Sequence, residues 1–185
     1  IAQDYRKRTN YTLNMNIAGT WNILESLTYR SEFGLDFGFG DSRRYYGPLT
    51  GESRNVGGNL PLGEITNSNS RSFRWTNTLN YQKEIGKHDF TFLVGQEINA
   101  LGKGFSEFNR AKFFAENIDP EKLFANMTLG TQDRHTTTVF AGEKIASFFG
   151  RITYQFDSRY LLTLTARADG STKFAPGNQW GLVVA

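Results

Sequence analysis

The chain has 185 residues, of which 38% are hydrophobic and 21% charged, a balance that excludes both a disordered segment and a helical membrane bundle. It has no cysteine, which removes disulfide scaffolds and thiolate metal sites, and its net charge of +3 comes from scattered Lys and Arg with no basic run of the kind a nucleic-acid binder needs. The aromatic fraction of 15% and the 19 glycines lean toward strands and turns. No apolar run approaches the roughly 20 residues of a membrane-spanning helix. The start, Ile1-Ala2-Gln3-Asp4, shows no leader, and Val183-Val184-Ala185 falls inside an apparent strand. The chain therefore reads as an internal piece of a longer protein.

Alternation with period two dominates. Tyr11, Leu13, Met15 and Ile17 alternate with Thr12, Asn14 and Asn16. Next, Leu27, Tyr29, Phe33, Leu35, Phe37 and Phe39 share one parity, and Thr28, Arg30, Glu32, Gly34, Asp36 and Gly38 the other. A helix would spread Arg30, Glu32 and Asp36 among the aromatics, whereas a strand separates them onto opposite faces. Phe73, Trp75, Leu79 and Tyr81 then oppose Arg74, Thr76, Thr78, Asn80 and Gln82, while Phe90, Phe92, Val94 and Ile98 oppose Thr91, Gly95, Glu97 and Asn99. Phe148, Ile152 and Tyr154 oppose Ser147, Arg151, Thr153 and Gln155. Tyr160, Leu162, Leu164, Ala166 and Ala168 oppose Thr163, Thr165, Arg167 and Asp169, and a seventh strand begins near Trp180.

Short links fall near Asn22–Ser26, Glu84–His88 and Phe156–Ser158. Long links run from about Asp41 to Asn69, Leu101 to Gly142 and Gly170 to Gln179, and they hold all four prolines, which cost no ladder bond there. Asp119-Pro120-Glu121 reads as the cap, first residue and acidic first turn of a short helix. Long antiparallel strands joined by short turns at one end and long loops at the other predict an all-β fold. They describe a segment of an up-and-down transmembrane β-barrel, about six to seven strands of a larger one, with periplasmic turns and extracellular loops. Lipid offers no hydrogen bonds, so such a sheet must close on itself. The many charged residues of the second face require a wide lumen, and hence a bigger parent barrel.

From Ser147 the chain reads Ser-Phe-Phe-Gly-Arg-Ile-Thr-Tyr, then Arg159-Tyr-Leu-Leu and Arg167-Ala-Asp-Gly-Ser-Thr-Lys-Phe, followed by Trp180-Gly181. These motifs resemble the barrel of the SusC-like TonB-dependent transporters. Phe92-Leu-Val-Gly-Gln-Glu97 and Leu27-Thr-Tyr-Arg-Ser-Glu-Phe-Gly34 are similar to further strands of that family. The family pattern continues with Phe-Pro-Ser after Trp-Gly, where this chain has Leu182-Val183-Val184. The resemblance implies that residues 1–185 are part of a barrel of about 22 strands, with the plug domain and TonB box outside this chain. It also implies nutrient import across the outer membrane of a Gram-negative bacterium. The partners would be membrane lipid, the protein's own plug, TonB, a SusD-like lipoprotein and a glycan or peptide substrate.

No residue set reads as catalytic, as a metal site or as a cofactor site, so the chain is expected to be no enzyme and to need no cofactor. Asp169-Gly170-Ser171 and Gly34, Gly38 and Gly40 lack the following helix that a phosphate loop requires. His88 and His135 have no convergent partners for zinc, and Asp119, Glu121 and Asp133 lack EF-hand spacing for calcium. Asn10-Tyr11-Thr12 and Asn126-Met127-Thr128 match a glycosylation acceptor that has no meaning in a bacterial outer membrane. Arg30, Glu32, Arg74, Glu97, Arg151 and Arg167 are candidate lumen- or plug-facing charges, expected to pair across strands. The loop aromatics Tyr45, Tyr46, Phe113, Phe114 and Phe124 either stack on sugars or a lid or, the favoured reading, anchor their own loops. The rival functions are a passive porin or adhesin barrel and a soluble β-sandwich carbohydrate-binding module, which would bury the face of Phe33, Leu35 and Phe37 under a second sheet.

Overall fold

A computed structural model describes residues 4–185; Ile1, Ala2 and Gln3, and with them the start on which the leader was judged, lie outside the described residues. Eight strands form one sheet: β1 Asp4–Leu24, β2 Leu27–Tyr46, β3 Leu62–Ile85, β4 His88–Lys112, β5 Thr131–Phe140, β6 Glu143–Phe156, β7 Tyr160–Ser171 and β8 Trp180–Val184. The order is β1-β2-β3-β4-β6-β7-β8, with β5 pairing with β4 as well. Antiparallel neighbours joined alternately by tight turns and longer links are the up-and-down arrangement that the alternation predicts.

The expected six to seven strands become eight because β4 has two partners in succession. Its first stretch pairs with β6, from His88↔Phe156 to Leu101↔Glu143, and its second pairs with β5, from Gly104↔Phe140 to Lys112↔Thr131. Thus β5 and β6 act as one long partner strand broken at Ala141-Gly142. Gly102 and Gly142 have φ of 68° and 76° at this break. A Cβ on Gly142 would lie 2.5 Å from the Leu101 carbonyl oxygen, so the crossing leaves no room for a side chain.

The long links are also shorter than expected. Strand β2 continues to Tyr46, β3 already begins at Leu62, and β4 reaches Lys112. Alternation fades there because polar residues occupy both parities, as in Asp41-Ser42-Arg43-Arg44 and Asn67-Ser68-Asn69-Ser70. Backbone pairing needs no apolar face, so the ladder outlasts the pattern.

The contacts divide the chain into two compact units. The first comprises the described residues up to Leu13 with Phe37–Ser70 and Gly104–Phe140. Its core is Tyr45, Ala111, Phe114, Leu123 and Phe124, flanked by Tyr5, Ile65, Ile118 and Met127. Helix α1 (Gly51–Val56) is capped by the Thr50 hydroxyl, which accepts from the Ser53 N–H at 3.2 Å. Helix α2 (Pro120–Ala125) starts at the expected Pro120, with the Asp119 carboxylate accepting from the N–H groups of Glu121 and Lys122. Leu123 packs onto the backbone of Gly63, where a larger residue would strike it.

The second unit comprises Asn14–Asp36, Arg71–Lys103 and Ala141–Ala185. It has no enclosed core. One face of its sheet is an exposed aromatic and aliphatic surface, with Leu162 67% and Leu164 50% accessible. Its rings pair across strands: Trp21 with Tyr29, Phe33 with Phe73, Tyr81 with Phe92, Phe90 with Tyr154, and Phe148 with Trp180. Cross-strand aromatic pairs fix register on a pleated face. Among the described residues no second sheet covers this face.

Candidate functional site

The opposite face of the second unit carries the charges. Period two puts Arg30 and Glu32 of β2 on it, away from Ser31, whose hydroxyl accepts from the Trp75 indole at 3.0 Å on the aromatic side. The Arg30 guanidinium donates to Glu32 at 3.0 Å and to Thr20 at 3.3 Å. From β3, the Thr76 hydroxyl donates to Glu97 of β4 at 3.1 Å, and Asn99 donates to the other carboxylate oxygen at 2.8 Å.

Register extends this face across two more strands, β6 and β7. Glu97 lies opposite Ser147, and Ser147 opposite Asp169. Arg167 donates from Nε to both Asp169 oxygens at 2.9 Å and from a terminal nitrogen to the fully buried Ser147 hydroxyl at 3.1 Å. The same guanidinium sits 5.7 Å from the centre of the Phe149 ring. The Cζ edge of that ring covers Gly95, in space that any side chain there would take. The result is a continuous polar row, Thr76–Glu97–Ser147–Asp169–Arg167, with one aromatic plate laid beside it.

The six charges singled out in the sequence therefore differ in state. Arg30, Glu32, Glu97 and Arg167 are engaged within the wall. Among the described residues, neither Arg74 nor Arg151 has a side-chain partner; the residue opposite Arg151 is Leu93 on one side and Thr165 on the other. Their guanidiniums are the ones left for something beyond the wall. Phe149 was not singled out, because its parity in Phe148-Phe149 looks like a continuation of an oily run. Only the glycine opposite it, Gly95↔Phe149, marks an inner ring that reaches across to the next strand.

The loop aromatics of the first unit separate equally clearly. Tyr45, Phe114 and Phe124 are buried core residues at 0%, 1% and 5% exposure. Burial pushes the Tyr45 phenol up, with the Asp119 carboxylate adding to it, and its hydroxyl has no hydrogen-bond partner. Tyr46 lies under the Arg44 guanidinium at 4.5 Å and donates to Glu64 at 3.3 Å. Phe113 alone is exposed, at 47%, with a left-handed φ of 61° and the Lys112 ammonium over its ring.

An ion-pair hub in this unit escaped the sequence. Arg110 contacts Glu64 of β3, Glu52 of α1 and Asp133 of β5, and Lys112 meets Asp133 at 2.6 Å. Its members come from four separate segments, so no local spacing reveals it. Asp133 is thus held by cations, and Glu121 accepts from the Tyr5 hydroxyl near Lys7. His88 stacks on Phe90 and Tyr154 and meets Phe156 at a tilt, and His135 faces Glu107 at 3.4 Å. Among the described residues no group of three or more His, Asp or Glu could hold a metal ion.

An up-and-down antiparallel sheet with one bare aromatic face and one charged face is a piece of transmembrane β-barrel wall. The chain is 32% identical over 183 residues to TonB-dependent receptor P26 of Formosa agariphila, covering 93% of this chain and 18% of that protein. It is 24% identical over 182 residues to TonB-dependent receptor SusC of Bacteroides thetaiotaomicron, covering 98% of this chain and 17% of that one. Among solved structures, the RagAB peptide transporter shares the fold, with a TM-score of 0.79 at 22% identity over 97% of this chain and 20% of that chain. No family model matches. Over nearly its whole length the chain is similar to SusC-like TonB-dependent receptors, as a segment of their β-barrel, and it spans less than a fifth of the length of the curated relatives it matches. Those relatives are named as receptors, not enzymes.

Proposed function

We propose that the chain forms part of the pore wall of a TonB-dependent outer-membrane transporter that imports oligosaccharides or peptides, capped by a SusD-like lipoprotein, in a Gram-negative bacterium. The observation that carries this reading is the segregation of faces: exposed aromatic pairs on one side and the row from Thr76 to Arg167 on the other. The first side suits lipid. The second offers a removable plug many polar contacts, each water-accessible and typically worth under about 1 kcal/mol. Arg74 and Arg151 contact that plug, and Phe113 on its exposed loop meets substrate or lid.

The test uses the full-length receptor in its own host. Deletion of its gene abolishes growth on one oligosaccharide or peptide mixture, and membrane fractionation finds the protein in the outer membrane. Arg151→Ala lowers uptake in part or makes the pore leaky to small antibiotics. Uptake that persists without TonB indicates a passive porin, and conversion of a substrate by the purified protein refutes the transport reading.

A further inference from the structure

Four strands of the second unit align one row of residues on the aromatic face: Ile98↔Ala146, Ala146↔Gly170 and Gly170↔Trp180. The middle two are small. The Trp180 ring leans over Gly170, 2.8 Å from where a Cβ would stand, and stacks on Phe148 below. Over Ala146 the row stays open, and a hollow of about 300 Å³ remains between Ile98 and Trp180.

Lys144 and Thr172 border the hollow on the loop side, where the Thr172 hydroxyl accepts from the Lys144 backbone N–H at 3.0 Å. Lys144 has the parity of Ala146, so its ammonium stands on the aromatic face. The neighbouring carboxylate, Glu143, has the other parity and is held by Ser171 and Lys173. Among the described residues no acid pairs with Lys144. An uncompensated ammonium therefore heads an oily notch.

Height along the wall identifies what meets it. Tyr154, in the ring cluster with His88 and Phe90, lies ten positions from Lys144 along β6, about 33 Å at roughly 3.3 Å per residue. At a tilt of about 40° this is about 25 Å of height, which matches the apolar band of an outer-membrane barrel. Lys144 and Trp180 then stand at the far membrane–water boundary, where indoles and ammonium groups meet lipid headgroups.

We propose that this hollow seats a phosphate-bearing membrane lipid, with an acyl chain over Ala146 between Ile98 and Trp180 and its phosphate on the Lys144 ammonium. The notch supplies shape, the lone cation supplies charge complementarity, and the indole covers one flank. The proposal rests on the membrane reading above.

The full-length receptor, purified in mild detergent, is titrated with monophosphoryl lipid A and scored for retained lipid by native mass spectrometry. Lys144→Ala lowers retention about fivefold, the value of one cation near an anionic lipid surface. Lys144→Arg retains wild-type binding, and Lys173→Ala on the opposite face changes nothing. Ala146→Phe fills the notch and lowers retention with the charge intact, and fully dephosphorylated lipid A binds the wild type as weakly as Lys144→Ala binds the phosphorylated form. Equal retention by wild type and Lys144→Ala overturns the proposal, as does equal loss in Lys173→Ala or equal binding of the dephosphorylated lipid. If the wild type shows no heat-modifiable barrel on a gel, the membrane reading itself fails. A folded barrel insensitive to Lys144→Ala refutes the lipid seat alone.

Discussion

Leu164→Arg in the full-length receptor tests which face meets lipid. Leu164 pairs with Ile152, which in turn lies opposite Phe92, so an arginine there enters the middle of an aliphatic and aromatic row. On β7 the residues level with Tyr154 and Lys144 are Leu162 and Thr172, so the midpoint is Arg167 on the other face and Leu164 lies three residues from it, about 8 Å in height for a strand tilted by roughly 40°. An arginine at the midplane of a barrel's lipid face costs about 2–4 kcal/mol, and this offset lowers the expected cost to about 1–2 kcal/mol. The control must point the other way and avoid a second charge. Thr165 is unsuitable because it lies opposite Arg151, where a new guanidinium would meet a like charge. Thr163, opposite Thr153, has no such neighbour, and Thr163→Arg should stay within about 0.5 kcal/mol. The assay is guanidinium unfolding of the receptor in lipid vesicles, followed as heat-modifiable barrel on a gel. Equal loss in both variants, or a larger loss in Thr163→Arg, refutes the assignment of faces.

Three further outcomes concern the first unit. Gly63→Leu strikes Leu123 and lifts α2 from β3, an overpacking cost of about 1–3 kcal/mol that limited proteolysis reads as faster cleavage within residues 113–130. Arg110→Met leaves Glu64 and Glu52 without their cation, while Asp133 keeps Lys112; the cost is about 3 kcal/mol, because the guanidinium is only 15% exposed, and hydrogen exchange in residues 47–61 should accelerate. Tyr45→Phe removes a buried hydroxyl without a partner and should slow exchange in the same core, by up to about 1 kcal/mol. With the folded phenol raised by burial, the stability Tyr45 contributes is fully present below pH about 10 and lost as pH rises through the folded value; Tyr45→Phe should abolish that alkaline loosening.

Much of the wall was legible before any coordinates, and for one reason. A strand's side chains alternate, so parity alone sorted Phe33, Trp75, Phe92 and Leu164 from Arg30, Thr76, Glu97 and Arg167. The tight turns and the helix start at Asp119-Pro120 were equally local signals, fixed by glycine, capping and proline chemistry within a few residues. The strand ends were not legible. Where polar residues fill both parities, as from Asp41 to Tyr46 and from Gly104 to Lys112, pairing continues on backbone hydrogen bonds that leave no mark in composition.

The sequence by itself determined that the chain is a strand-built wall with one oily and one charged face, because period two needs nothing beyond the chain's own stereochemistry. Only the tertiary structure decided who meets whom. The Arg167–Asp169 pair is local, two residues apart on β7, but the bond from Arg167 to the Ser147 hydroxyl comes only from the register of β6 against β7. Phe149 can reach over the neighbouring strand because the residue across from it, 54 positions earlier, is Gly95. Arg110 gathers carboxylates from α1, β3 and β5. Each of these depends on register between distant segments, and register is set by how many backbone bonds, ring pairs and ion pairs a given alignment satisfies at once.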